Sequence, residues 1–131
     1  MTSTIRIQPD DALIEWRIGG HVSVDALNAD FDEIVADPRY SPAFDFLVVM
    51  NTDARLGDID LEALQRFQAH IRQRRAEFDM TVRNRTALVF LRPEQMAMSV
   101  VHAVSYSKSE HSNTDMRAFP SEAEALAWLR T

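Results

Sequence analysis

Four histidines, at positions 21, 70, 102 and 111, and no cysteine bound the chemistry open to this chain. Without a thiol there is no disulfide scaffold, zinc finger, iron–sulfur site or thiol nucleophile. The histidines lack HxxxH and HExxH spacing, and a metal site needs three or four convergent ligands. The expected metal set and the expected cofactor are therefore none. No GxSxG elbow occurs, so the remaining nucleophiles are hydroxyls, carboxylates and Lys108. Ser107, Ser109 and Ser112 flank Lys108 in a polar stretch that reads as a solvated loop. His21 follows Gly19-Gly20 and precedes Ser23; as a general base it would need an orienting carboxylate such as Asp53. The same turn could offer backbone N–H groups to an anion. It lacks GxGxxG spacing and the P-loop lysine, so a tight turn and helix cap is the plainer reading. His70 and His102 fall inside amphipathic helices and read as surface or boundary residues. No catalytic residue is assigned.

The elements that must position these groups follow from periodicity. Residues 4–8 and 12–18 alternate apolar and polar, and Pro9-Asp10-Asp11 turns between them, so they form a hairpin. Ser23 caps a helix whose apolar stripe is Val24, Leu27, Phe31, Ile34 and Val35, and Asp37-Pro38 ends it. FDFLVVM at 44–50 and TALVFL at 86–91 are continuous apolar runs, as expected of strands covered on both faces. Between them Asp58 or Asp60 caps a helix with Leu61, Leu64, Phe67, Ile71 and Phe78 on its stripe, reaching about residue 79. Arg92-Pro93-Glu94 opens the next helix, with Met96, Val100, Ala103 and Val104 as the expected buried face. Met96 and Met98, with Met116, fill core or line an adaptable pocket. TDMRAF at 114–119 is a last short strand. Ser121 and Glu124 form a capping box ahead of Ala125, Leu126, Trp128 and Leu129. Trp16 and Trp128 read as core or subunit contacts.

The order is β-β-α-β-α-β-α-β-α. It predicts an α/β domain spanning 1–131, with a five-stranded mixed, mostly parallel sheet and four helices. Ligands of parallel sheets bind beyond the carboxyl ends of the strands. That rule brings together the loops holding His21, Ser23, Asn51, Thr52, Asp53, Arg55 and Arg92, which are the candidate binding residues.

The chain has 131 residues, with a net charge of −6. Residues 1–65 carry 13 acids against 4 arginines, whereas 66–131 carry 7 acids against 10 bases. An acidic protein is ill suited to nucleic acid. The basic excess at Arg72, Arg74, Arg75, Arg83 and Arg85 reads as a solvated helix C-terminus, where cations are favoured, with an anion patch as the alternative. Apolar runs of about six residues are far short of a membrane span. The first residues have no secretory pattern, so the expected location is cytoplasmic.

Four segments together carry a resemblance. They are the hairpin into Gly19-Gly20, the run Asp37-Pro38-Arg39-Tyr40-Ser41-Pro42 before FDFLVVM, TALVFL with its Met-rich helix, and MRAFPSEAEALAWL. The chain resembles bacterial anti-sigma-factor-antagonist (STAS-like) domains, and more closely the small STAS/SEC14-like proteins. The resemblance implies a regulatory domain that binds a protein partner, itself included, or a small ligand. In that family a Ser or Thr at the start of the helix after the third strand is the phosphorylation switch. Here Leu56–Leu61 holds no hydroxyl and Thr52 lies earlier, which puts such a switch in doubt. The leading expectation is a non-enzymatic interaction module docking a partner around Asn51–Asp60 and the adjoining helix. A carrier of a small apolar ligand is the second reading and needs a cavity of roughly 300 Å3 or more. The third is a small hydrolase or isomerase using His21 and Asp53.

Overall fold

A computed structural model describes residues 1–78, 81–107 and 113–131. Five strands form one sheet: β1 (Thr2–Gln8), β2 (Leu13–Gly19), β3 (Asp45–Met50), β4 (Asn84–Phe90) and β5 (Thr114–Phe119). Four helices alternate with them: α1 (Val24–Ala36), α2 (Leu61–Arg75), α3 (Pro93–Ser107) and α4 (Glu122–Leu129). The strands lie in sequence order, β1-β2-β3-β4-β5. β1 and β2 are antiparallel and every later pair is parallel. The fold expected from sequence is the fold found.

That strand order dictates the layers. Every parallel crossover steps the same way across the sheet, and right-handed crossovers then place α1, α2 and α3 on one face. The main core fills this layer, with Trp16, Ile18, Phe31, Phe46, Phe67 and Leu88 buried in it. The other face is covered by α4, whose Ala125 packs on Leu47, Val49, Ala87 and Val89. Arg17 on β2 reaches Glu122 at 2.6 Å and fastens α4 to the sheet; the guanidinium holds that carboxyl below its ordinary range. Trp16 is core, and its indole N–H donates to Asp30 Oδ2 at 3.0 Å. Trp128 is half-buried, with the Arg85 and Arg117 guanidinium groups 5.3 and 5.1 Å from its ring.

The caps follow the sequence, with one change. Ser23 accepts from Ala26 N and Asp60 from Ala63 N, which settles the α2 cap on Asp60. Ser121 accepts from Glu124 N, but the Glu124 carboxylate takes the Ser121 hydroxyl proton rather than a backbone one. Helix α2 ends at Arg75, earlier than its stripe suggested; Phe78 follows it and packs edge-on against Tyr40.

Four expectations fail on side-chain placement. On α3, Ala103 is buried, but Met96, Val100 and Val104 are 47%, 42% and 48% exposed. The face turned inward carries Gln95, Ser99, His102 and Tyr106 instead. Leu61 and Leu91, read as core, are exposed. His102, read as surface or boundary, is buried. The basic cluster is not one solvated patch: Arg75 is buried, Arg74 meets Asp32 and Glu77, and Arg85 bonds the end of α4. The Lys108 group, with Ser109, His111, Ser112 and the side chain of Ser107, lies outside the described residues, as does Asp79.

The hairpin turn carries local strain. Pro9–Asp11 makes one tight helical turn, and Ala12 closes it in the left-handed region at φ 51°. A side chain there costs roughly 1 kcal/mol that glycine avoids. Ala12 N donates to Pro9 O and Ala12 O accepts from Asp45 N, so the conformation is held at both ends. Ala12→Gly is expected to raise unfolding free energy by about 0.5–1 kcal/mol in urea denaturation.

Candidate functional site

The predicted rim exists and is closely knit. Gly20 O accepts from Arg55 N at 2.8 Å and Val22 N donates to Arg55 O at 3.0 Å, which joins His21 to Arg55 as a parallel bridge. Asn51 N donates to Ile18 O at 2.8 Å. Arg92 donates to Thr52 O at 3.1 Å and pairs with Glu94 at 2.6 Å. Gly19 lies where these loops converge, and a side chain there would make the Asp53 carboxylate turn aside. A Cβ there would lie 2.7 Å from Asp53 Oδ1 and 3.3 Å from Asn51 Nδ2. Gly20 follows at φ +73°. The structure therefore brings His21, Asn51, Thr52, Asp53, Arg55 and Arg92 to one edge of the sheet. Ser23 stands beside them, committed to its cap.

The expected dyad is differently composed. His21 Nε2 lies 2.5 Å from Asp58 Oδ2, so Asp58 and not Asp53 orients this imidazole. Both side chains are exposed, in water rather than in a cleft. The strand order explains the missing cleft. A crevice at the carboxyl edge forms where neighbouring crossovers diverge to opposite faces. Here α1, α2 and α3 all lie on the same face, and the loops bond to one another.

The residue that organises this edge is Gln95, which was not singled out from the sequence. Its Nε2 donates to Asn51 O at 2.8 Å and Ala54 O at 3.2 Å. Its Oε1 accepts from Leu91 N at 3.0 Å and Arg92 N at 3.3 Å. It is 2% exposed. A Gln at the third helical position reaching back to the helix start is half of a capping box. That signal was present in Arg92-Pro93-Glu94-Gln95, without the usual Ser or Thr.

A second grouping lies inside the main layer. An apolar cavity of about 90 Å3 sits between the sheet and α1, α2 and α3. Of the methionines considered for a pocket, Met98 and Met116 line it and Met96 does not. Its volume is below the roughly 300 Å3 that a carrier of drug-sized ligands needs. Arg75, Ser99, His102 and Tyr106 give it a polar side. Burial lowers the His102 pKa to about 4, so the imidazole is neutral. Burial also pushes the Tyr106 phenol up, with the Arg75 charge pulling the other way.

A separate open groove of about 540 Å3 lies at the opposite edge, lined by Asp45, Arg83, Arg85 and Asp115 among others. Its charges alternate in sign. Among the described residues, no group of three or more His, Asp or Glu could hold a metal ion, and no helix is long and apolar enough to cross a membrane.

Gln95→Leu keeps the volume but strands two buried carbonyls and two amide groups. It is expected to cost about 2–4 kcal/mol of stability, read from a shift in the denaturation midpoint. His102 gives a pH signature. Its folded pKa is depressed, so the unfolded chain binds more protons between the two values. Stability is then full above about pH 6.5 and falls as pH drops toward about 4. The expected loss is roughly 3 kcal/mol at 1.36 kcal/mol per unit. His102→Gln should flatten this part of the stability–pH curve, as urea titrations of both proteins at pH 4–8 will test.

No family model, no curated protein and no solved structure matches this chain.

Proposed function

We propose that the protein is a non-enzymatic, STAS-like interaction module that docks a second copy of itself through the outward face of α3. The observation that carries this reading is the helix itself. Met96, Val100, Val101 and Val104 face solvent, with Leu91 exposed just before the helix. A contiguous exposed apolar face on a small domain marks an interaction surface.

Charge favours a like partner. From Gln95 to Ser107 the helix has no Asp, Glu, Lys or Arg, in a chain of net charge −6. Two copies meeting here bring no like charges into contact. Met96, Val100 and Val104 form one i, i+4 ridge and Ala97 and Val101 a second, the arrangement that interdigitates when two helices cross. β5 offers a further free edge, since it pairs with β4 alone among the described residues. A 15-residue helix is about 22 Å long and by itself supplies less than the roughly 800 Å2 per partner of a stable interface. The dimer is therefore a reversible one. The Asn51–Asp60 loop, tied to the start of α3 through Gln95, borders this surface.

Sedimentation velocity between about 1 and 200 µM tests the reading. The wild-type chain is expected to pass from monomer to dimer, and Val100→Asp with Val104→Asp to stay monomeric with its melting temperature nearly unchanged. A wild-type protein monomeric throughout, or a double variant that still dimerises, overturns it.

A further inference from the structure

The interior cavity has a polar side that carries a charge. Arg75, Ser99, His102 and Tyr106 line it and are only 4%, 6%, 8% and 1% exposed. Arg75 Nε donates to Asn113 Oδ1 at 2.9 Å and its Nη2 to Asn84 Oδ1 at 3.3 Å. Both acceptors are neutral. Among the described residues no carboxylate pairs with this guanidinium, and the ion pairs found elsewhere each have a partly exposed cation. Buried charges are ordinarily paired, because desolvation is costly.

The imidazole is fixed in one tautomer by its neighbours. Gln68 Nε2 donates to His102 Nδ1 at 3.0 Å and to Ser105 Oγ at 2.9 Å, and the Ser105 hydroxyl in turn donates to His102 O at 3.5 Å. Nδ1 is thus the acceptor, and the neutral ring carries its proton on Nε2. Among the described residues nothing accepts from that N–H, and the hydroxyls of Ser99 and Tyr106 also have no partner. Residues 99, 102 and 106 follow one face of α3, so these groups approach the cavity from one side.

We propose that this cavity is a binding site for a short-chain aliphatic monocarboxylate, with the carboxylate held by Arg75, His102 Nε2–H and the Tyr106 hydroxyl. The guanidinium and the His102 Nε2–H can only donate, one of them is cationic, and the two hydroxyls can donate as well, so an acceptor head with one negative charge complements them. A planar carboxylate fits a guanidinium fork. A phosphate dianion would leave a second buried charge uncompensated. Thr86 and Thr114 also line the cavity, their hydroxyls bonded to each other, and most of the remaining wall, including Trp16, Val48, Phe67 and Leu88, is apolar and wants an alkyl tail. Volume limits the tail: at about 90 Å3, against about 150 Å3 for an apolar cavity that holds benzene, only a short chain fits. This inference is independent of the dimer.

Thermal unfolding and calorimetric titration of the full chain at pH 7 test it. The probes are sodium acetate, butyrate and octanoate at 10 mM, against equal sodium chloride, 1-butanol and butyramide. Butyrate is expected to raise the melting temperature by about 3 °C or more over chloride, with octanoate and the two neutral analogues well below it. Arg75→Met should abolish the butyrate shift. If that variant does not fold, Leu88→Phe, which fills the cavity and leaves Arg75 in place, should abolish it instead. No shift with any carboxylate overturns the proposal. An equal shift with 1-butanol also overturns it, since the site would then take an apolar body without reading its charge.

Discussion

Buried polar groups must be hydrogen-bonded, and in this protein that requirement sets the rotation of α3. Gln95 makes four bonds to the loop after β3 and to the approach to its own helix. Gln68 holds His102 about two turns further along. Turning α3 by about a residue would bury Met96, Val100 and Val104, which are already about half buried, for a gain of roughly 1 kcal/mol each. It would also uncover Tyr106 and Ala103 and leave the Gln95 partners unsatisfied, at roughly 1–3 kcal/mol per group. The costs equal or exceed the gain, so the valines stay in water.

The strand order works at a larger scale. A sheet that grows in one direction puts three crossover helices on one face and leaves the other to a terminal helix. The consequence for binding is direct. The carboxyl edge has no point where crossovers diverge, so His21, Asn51, Asp53, Arg55 and Arg92 form a laced rim and not a crevice. Space for a guest arises instead in the thick layer, under α1, α2 and α3, where bulky aromatic side chains and a polar helix face do not fill the volume completely.

The strands and the first two helices were legible because their signals are local. Alternation in 12–18, the runs FDFLVVM and TALVFL, the Ser23 cap and the Asp37-Pro38 stop each act within a few residues. The rim was legible too, because strand ends bring loops together whatever their side chains. α3 was not. Its sequence QMAMSVVHAVSYS is apolar on more than one face, and a stripe at i, i+4, i+8 looks the same whether it faces a sheet or water. What decides between them are partners far away in sequence: Gln68 lies 34 residues from His102, and Asn113 38 from Arg75. Burial of a polar side chain is decided by such partners, and no periodicity announces it. The choice of Asp58 over Asp53 for His21 has the same origin, a loop closure that spacing alone does not encode.

The inner and outer faces of α3 are one rigid object. The same rotation that points Ser99, His102 and Tyr106 at the cavity points Met96, Val100 and Val104 at solvent. Any group that satisfies the inner donors stabilises that rotation, and so stabilises the presentation of the outer ridge. By linkage, any partner gripping the ridge stabilises the inner arrangement by the same free energy. The size of that coupling depends on how far the helix populates other rotations when both faces are free. Gln95 restrains the N-terminal turn, and Gln68 restrains the C-terminal half through His102 and Ser105, where His102 and Tyr106 face inward and Val104 outward. A helix anchored by Gln95 and Gln68 and polar within is thus the part of this fold through which an interior guest and an exterior partner can sense each other.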